Sequence, residues 1–466
     1  SCFNKKEVNQ MSGEQVKKRT FMDRLSDFSE RCIPDAFPLV LILTVLVAIL
    51  ALALTDTTPM GLLENWYSGF WGMISFTFQV CGLMFTGYLV ADSMPVRKML
   101  IHLARIPKTT TQAILLFMTV MFILNYLHFA LAIAGAIMLG RAMIVEQAKK
   151  GNKIPYAMFV SIGFFGIMYQ GGPTAGSPLL VAAPGHFMED IIGVMPLNET
   201  MLTLPMICMN LTIFAITLIV FPRLVPKKDY ETVDEERLKK FEKDMALDTY
   251  EENVSMRTFA EKVDNTAIFQ KAVGIAGLFI FAVSMYKGGM TAFGLNACNF
   301  LFLMLALVLH KSPATVIKSS KEGIKTISNV FLQYSFYAGI LGILTGTGLG
   351  AVFCEWFVKL GNARNFTTIV YWFSSLLNML VPSGGSQFMV EAPYIMPAAK
   401  ELGVNTAYVV NAFTVGDLTT NLIQPFWALP ALTVFGCKFR KIFPYCAIAC
   451  AIGFTVMTLY FYFWMY

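Results

Sequence analysis

The chain has 466 residues, of which 56% are hydrophobic and only 14% charged, with a net charge of +6. A soluble domain carries about 25% charged residues, so a water-soluble fold of this composition, with a mean hydropathy of +0.59, would expose far too much apolar surface. The basic excess is no nucleic-acid signature and predicts no nucleic-acid partner, because Lys and Arg sit in short loops between apolar stretches, as positive-inside topology requires.

A membrane helix needs about 20 apolar residues. Residues 1–33 are polar, with Met11 a candidate start, and lead into a full-length span rather than a cleavable leader. Lys17, Lys18, Arg19, Arg24 and Arg31 place this segment in the cytoplasm. The first span, 36–55, then exits through the loop 56–69, which has no Lys or Arg. Span 70–92 returns to Arg97, Lys98, Arg105 and Lys108.

The stretch 111–140 is apolar but interrupted at Asn125-Tyr-Leu-His128, and both its flanks are basic. A single crossing would leave one basic flank outside, so we expect a re-entrant hairpin over about 111–146 with its tip near Asn125. Its arms, 111–124 and 129–140, are about 20 Å long at 1.5 Å per residue, short of a bilayer core of roughly 30 Å. A helix over 155–184 follows, broken at Gln170-Gly-Gly-Pro-Thr-Ala-Gly-Ser-Pro178, and span 201–222 returns. These elements make a first repeat over 34–222. The charged stretch 223–270 reads as a cytoplasmic linker, either amphipathic and helical around 230–247 or, as its charge favours, a solvated connector.

A linking helix at 271–290 leads to a second repeat over 291–466, with spans at 296–310 and 330–352. A second hairpin, at about 366–400, carries the tip Asn378-Met-Leu-Val-Pro-Ser-Gly-Gly-Ser-Gln387. A second broken helix, 406–435, is interrupted at Thr419-Thr-Asn-Leu-Ile-Gln-Pro425, and 443–466 is the last span. The prediction is an all-α polytopic membrane protein of about nine transmembrane helices and two re-entrant hairpins. Thr58-Pro59 answers to Ser312-Pro313, Thr86-Gly87 to Thr345-Gly346, Leu124-Asn125 to Leu377-Asn378, and Ser177-Pro178 to Gln424-Pro425. An odd number of crossings separates the matching elements, so the repeats are inverted, and discontinuous helices at matching positions point to a midplane site.

A backbone unwound in lipid leaves amides and carbonyls unpaired at several kcal/mol each unless it lines a cavity. Half-helix N-termini suit anions, and carbonyl ends suit cations. Candidate substrate ligands are therefore Asn125 and His128 at the first tip and Thr174 and Ser177 in the first break. In the second half they are Ser383, Gly384, Gly385, Ser386 and Gln387 at the tip, and Thr420, Asn421 and Gln424 in the break. Phe388, Phe426 and Trp427 are candidates to wall an apolar tail. No Arg or Lys lies among these residues, which suits one carboxylate held by neutral donors and argues against a second substrate charge. Asp417, Glu391 and His128 are ionisable groups within apolar segments, a costly placement that marks function; Asp417 and then Glu391 are the candidates for ion coupling. The nine cysteines form no CxxC pair and read as packing residues. Four scattered histidines offer neither a metal cluster nor a nucleophile–base pair, so no catalytic residue and no resident cofactor is expected. An enzyme or channel is the weaker reading.

The run Val381-Pro-Ser-Gly-Gly-Ser-Gln-Phe-Met-Val-Glu391, continuing to Gly403, with Gln424-Pro-Phe-Trp-Ala-Leu-Pro430, resembles the short-chain fatty acid transporter family (the AtoE type). Gly171-Gly-Pro-Thr-Ala-Gly-Ser-Pro-Leu-Leu180 does so too. The resemblance implies a secondary transporter of monocarboxylates such as acetoacetate or butyrate in the bacterial cytoplasmic (inner) membrane. It also implies kinship with the ion-transporter superfamily: homodimers with a scaffold and a moving transport domain in an elevator cycle. Candidate Na⁺ sites carried over from sodium-coupled relatives fall near Asn125 with Gly172–Ser177, and near Asn378 with Thr420–Asn421. The tips read Asn-Tyr-Leu-His and Asn-Met-Leu-Val instead of the Ser-Asn-Thr of the dicarboxylate carriers, leaving Na⁺ or H⁺ as the coupling ion. A dicarboxylate or amino-acid-like carrier is the alternative on the same scaffold.

Overall fold

The computed structural model describes residues 36–225, 230–245, 258–425 and 427–466. The N-terminal segment 1–33, part of the linker and Phe426 lie outside the described residues. Among those described, every regular element is helical. The first half runs α1 (Ala36–Leu54), α2 (Pro59–Phe70), α3 (Ile74–Asp92), α4 (Met94–Arg105), α5 (Thr110–Leu127), α6 (Phe129–Lys149), α7 (Tyr156–Phe165), α8 (Gly176–Val181), α9 (Glu189–Ile192) and α10 (Leu204–Arg223). The linker contributes α11 (Glu235–Met245) and α12 (Phe259–Asp264). The second half runs α13 (Ile268–Gly288), α14 (Leu295–Leu309), α15 (Pro313–Gly323), α16 (Ser328–Gly346), α17 (Leu349–Leu360), α18 (Phe366–Leu377), α19 (Gly384–Glu401), α20 (Thr406–Thr420), α21 (Leu429–Phe435) and α22 (Phe439–Phe463).

Seven of the described helices are long and apolar enough to cross a bilayer, or eight if the bent pair Pro313–Thr326 and Ser328–Gly346 is one span. Their outward faces carry Leu41, Ile49, Val273, Phe279 and Tyr286, all exposed. Contiguous apolar surface of this kind is untenable in water and natural against lipid chains. The protein is a multi-pass membrane protein.

Three sequence expectations change. The loop 56–69 is mostly the helix α2, because Thr58 caps it by accepting from the Gly61 amide and Pro59 fills the first turn. This helix packs on α16 at van der Waals limits: a Cβ on Gly69 would stand 2.7 Å from the Ala338 carbonyl oxygen and from Gly342 Cα. Small residues allow such close approach in membranes, and Gly342 and Gly346 supply the spacing on α16. Second, the first hairpin's arms are 18 and 21 residues long, not short ones; His128 alone, in an extended conformation, joins them. Their length removes the argument for a hairpin from short arms. Its two ends do meet: Gln147 Nε2 and Lys150 Nζ both donate to the Pro107 carbonyl at 2.8 Å.

Third, the linker is no solvated connector over 230–245. Phe241 is fully buried beside Phe435, Arg141 pairs with Asp244 at 3.0 Å, and Lys441 pairs with Glu231 at 2.6 Å. The segment straps the base of α6 and α7 to α21 and α22.

The helices form two sets in close contact, with α4 and α17 packing chiefly on the second set. The first, α1–α4 with α13–α17, is knit by α2 and α1 on α16 and by α14 and α15 on α3. The second, α5–α10 with α18–α22, holds both helix pairs and both interrupted helices. They meet in the same way twice: α3 and α4 pack on α6, and α16 and α17 pack on α19.

Candidate functional site

At the second junction, the amide of Asn378 closes the tip onto the break. Its Nδ2 donates to the Asp417 carbonyl at 2.7 Å, and to Thr420 Oγ1 and Asn421 Oδ1 at 2.9 Å each. Thr420 in turn donates to the Ser375 carbonyl at 2.8 Å, and Gln424 Nε2 donates to the Asn378 carbonyl at 2.9 Å. Trp427 Nε1 reaches the Pro382 carbonyl at 3.1 Å. The chain unwinds here because Pro425 cannot continue the helix, and these side chains then satisfy the freed groups.

The first junction repeats this plan. Gln170 Nε2 donates to Asn125 Oδ1 at 3.3 Å, and Thr174 Oγ1 donates to the Leu127 carbonyl at 2.9 Å. Only glycine fits at 172, since a Cβ there would lie 2.0 Å from the Tyr126 carbonyl oxygen. The halves touch where Ser177 Oγ donates to the Gly384 carbonyl at 3.2 Å.

Between the junctions lies a cavity of about 90 Å³, room for one small solute or several waters. Its polar wall includes Gln170, Thr174, Ser177, Ser383, Asp417 and Asn421. Gly384 and Gly385, the first two residues of α19, also face it. The first amides of a helix have no partner inside it. Ser383 does not cap them; it shares a 3.0 Å hydrogen bond with the Tyr334 hydroxyl instead. Those amides and the positive end of an 18-residue helix therefore face the cavity. A Cβ on Gly385 would stand 2.7 Å from the Tyr334 hydroxyl.

Asp417 is buried in this wall, and its Oδ1 has no hydrogen-bond partner. Glu391 is placed differently. It accepts from Ser374 Oγ and, at 2.6 Å, from Gln387 Nε2, so it braces α18 against α19 and does not line the cavity. Asn378, Thr420 and Gln424 hold the second junction, and Asn125 holds the first, all outside the lining. Ser386 and Gln387 are buried in α19 behind it. His128 is fully buried beside Gly87 and Phe302, on the side of α3 and α14, with neither ring nitrogen bonded. Of the aromatic candidates, Trp427 lines the cavity, whereas Phe388 packs on Phe187 and Phe413.

The apolar wall comes from residues that the sequence reading passed over. Val80, Leu83 and Met84 on α3, Val330 on α16 and Phe129 on α6 line it. Tyr334 was missed as well; its signal is a phenol in the middle of an apolar span.

The fold resembles the crystal structure of the Alcanivorax borkumensis YdaH transporter, with a TM-score of 0.58 at 14% identity, over 93% of this chain and 99% of that one. With the cavity between its broken helices, the chain has the fold of a polytopic membrane protein. The short chain fatty acid transporter family model matches residues 18–464, and the chain belongs to that family. Two curated relatives named for short-chain fatty acid transport are similar to it. The one from Escherichia coli (strain K12) is 29% identical over 92% of this chain and 95% of its own length. That from Haemophilus influenzae is 28% identical over 91% and 95%.

Proposed function

We propose that this chain moves short-chain monocarboxylates, of the acetoacetate and butyrate kind, across the cytoplasmic (inner) membrane by cation-coupled alternating access. The carrying observation is the chemistry of the cavity. Neutral hydroxyls, amides and the α19 N-terminus face a small volume with apolar walls, and no Lys, Arg or His is among its described lining residues. Such a site compensates one carboxylate through helix-end amides and offers nothing to a second one, which disfavours the dicarboxylate reading.

Asp417 supplies the reason for coupling. Two like charges in a water-poor cavity repel strongly, so a carboxylate enters beside Asp417 when a proton or metal cation enters with it. Asn378 bears on which one. Its Nδ2 already fills the point where three oxygens converge. Turning that amide over would set Oδ1 among them and make a cation cage; left as it is, coupling runs through a proton at Asp417.

In this reading α1–α4 and α13–α17 are the scaffold, and α5–α10 with α18–α22 move as the transport unit. In the same reading the repeats are inverted, with about nine crossings, two re-entrant hairpins, a cytoplasmic N-terminus and a homodimeric scaffold. The test is uptake of labelled butyrate and acetoacetate into proteoliposomes, with Na⁺ and H⁺ gradients imposed separately. Uptake no faster than into empty liposomes would sink the substrate class. Full gradient-driven accumulation by Asp417→Asn would remove Asp417 from the coupling step.

A further inference from the structure

The geometry points to a chain-length ruler on α3: Val80, Leu83 and Met84, with Val330 opposite, set the longest acid that the cavity accepts. This rests on the monocarboxylate reading above and adds the specificity residues of that site.

The polar groups of the cavity come almost wholly from one set of helices, whereas its apolar lining comes from both, with Phe129, Ile167, Leu418 and Trp427 on the hairpin-and-break side and α3 and α16 on the other. Every hydroxyl, amide and carboxyl lining group except Tyr334 comes from the hairpin-and-break helices. From α3 come three apolar side chains only, at spacings of three and one residues, which form a single helical face. All three are buried, Leu83 at 1% exposure. Val330 and Tyr334 sit four apart on one face of α16. The Tyr334 hydroxyl is engaged with Ser383, and Val330 is the apolar aliphatic residue that α16 contributes. A carboxylate held by the α19 amides thus points its alkyl tail at α3.

The ruler lies on the helix group opposite the carboxylate site. Head-group binding is then read by one body and tail length partly by the other, and the two pack against each other through α3 on α6 and α16 on α19. Tail length is tested when they close together. A tail that is too long holds them apart, so it weakens binding of the acid as well as its transport. Met84 is the adjustable element, because a thioether chain is flexible and fills irregular gaps.

The experiment uses the full-length protein in proteoliposomes, with straight-chain acids from two to eight carbons competing against labelled butyrate uptake, corrected for empty liposomes. Met84→Ala removes three heavy atoms, and we expect the preferred competitor to lengthen by about two carbons. Each newly buried methylene tightens competition about fourfold. Val80→Phe should shorten the preferred acid, and Val80→Ala serves if Met84→Ala is not monodisperse after purification. If Met84→Ala and Val80→Ala both keep the wild-type order of acids, the ruler is not on α3 and the inference is overturned. Absence of saturable butyrate uptake by the wild-type protein would instead overturn the substrate reading, a separate result.

Discussion

Asn378→Ala probes the second junction directly. One amide donates to three oxygens between 2.7 and 2.9 Å, but an amide nitrogen carries two hydrogens, so one of them is shared. Two full neutral bonds at about 1 kcal/mol each, plus desolvated acceptors left behind, give a loss of roughly 3 kcal/mol. Thr420 keeps its bond to the Ser375 carbonyl, so the junction loosens without losing every tie. Thermal unfolding of the purified protein reads the stability, and proteoliposome uptake reads the function; both should fall. Thr420→Val and the double variant complete a cycle, in which coupling of about 0.5–3 kcal/mol is expected for contacting partners. Sodium titration separates the two coupling chemistries, since a cation caged at this point would raise the wild-type melting temperature and not that of Asn378→Ala. Unchanged melting and unchanged uptake in Asn378→Ala would refute the view that this amide closes the tip onto the break.

Gly385→Ala should cost about 1–3 kcal/mol by overpacking, because its Cβ meets the Tyr334 hydroxyl; adding Tyr334→Phe should restore part of the uptake. Phe241→Ala should destabilise by about 3 kcal/mol, as expected for a buried ring, read as a lower melting temperature, whereas Arg141→Ala, which breaks one partly exposed pair, should change it by less than about 1 kcal/mol. His186, in the loop after α8, accepts from the Met188 amide through Nδ1 and bonds the Gly193 carbonyl through Nε2, an arrangement for the neutral ring. Burial lowers its proton affinity, so the unfolded ring protonates first. Its contribution to stability is present above about pH 6.5, the unfolded value, and is lost as pH falls; His186→Gln should flatten that slope in melting experiments.

The membrane environment was legible from composition alone, since lipid is the only solvent that tolerates this much apolar surface. The tips and breaks were legible too, because Asn, Gly, Pro and Gln inside apolar runs are expensive unless they meet one another. Asn378 with Thr420 and Asn421, and Asn125 with Gln170, do meet. Other features have no such signature. Val80, Leu83 and Met84 at helical spacing read as ordinary core, and nothing local says that a cavity lies against them. Phe241 is one apolar residue in a charged helix, and its burial depends on helices brought to it from both halves. Glu391 and Asp417 look alike in sequence as carboxyls within apolar segments. Gln387 stands one turn before Glu391 on α19, but only the packing of α19 on α18 brings Ser374 to it, and only tertiary structure leaves Asp417 Oδ1 without a partner.

The sequence by itself determined the solvent, the helices and the places where backbone must be satisfied by side chains, because those depend on local chemistry. Tertiary structure alone decided which polar residues face the solute, which merely hold the tips, and which apolar face meets the tail. These are relations between segments hundreds of residues apart, such as Ser177 with Gly384, and no local pattern encodes them.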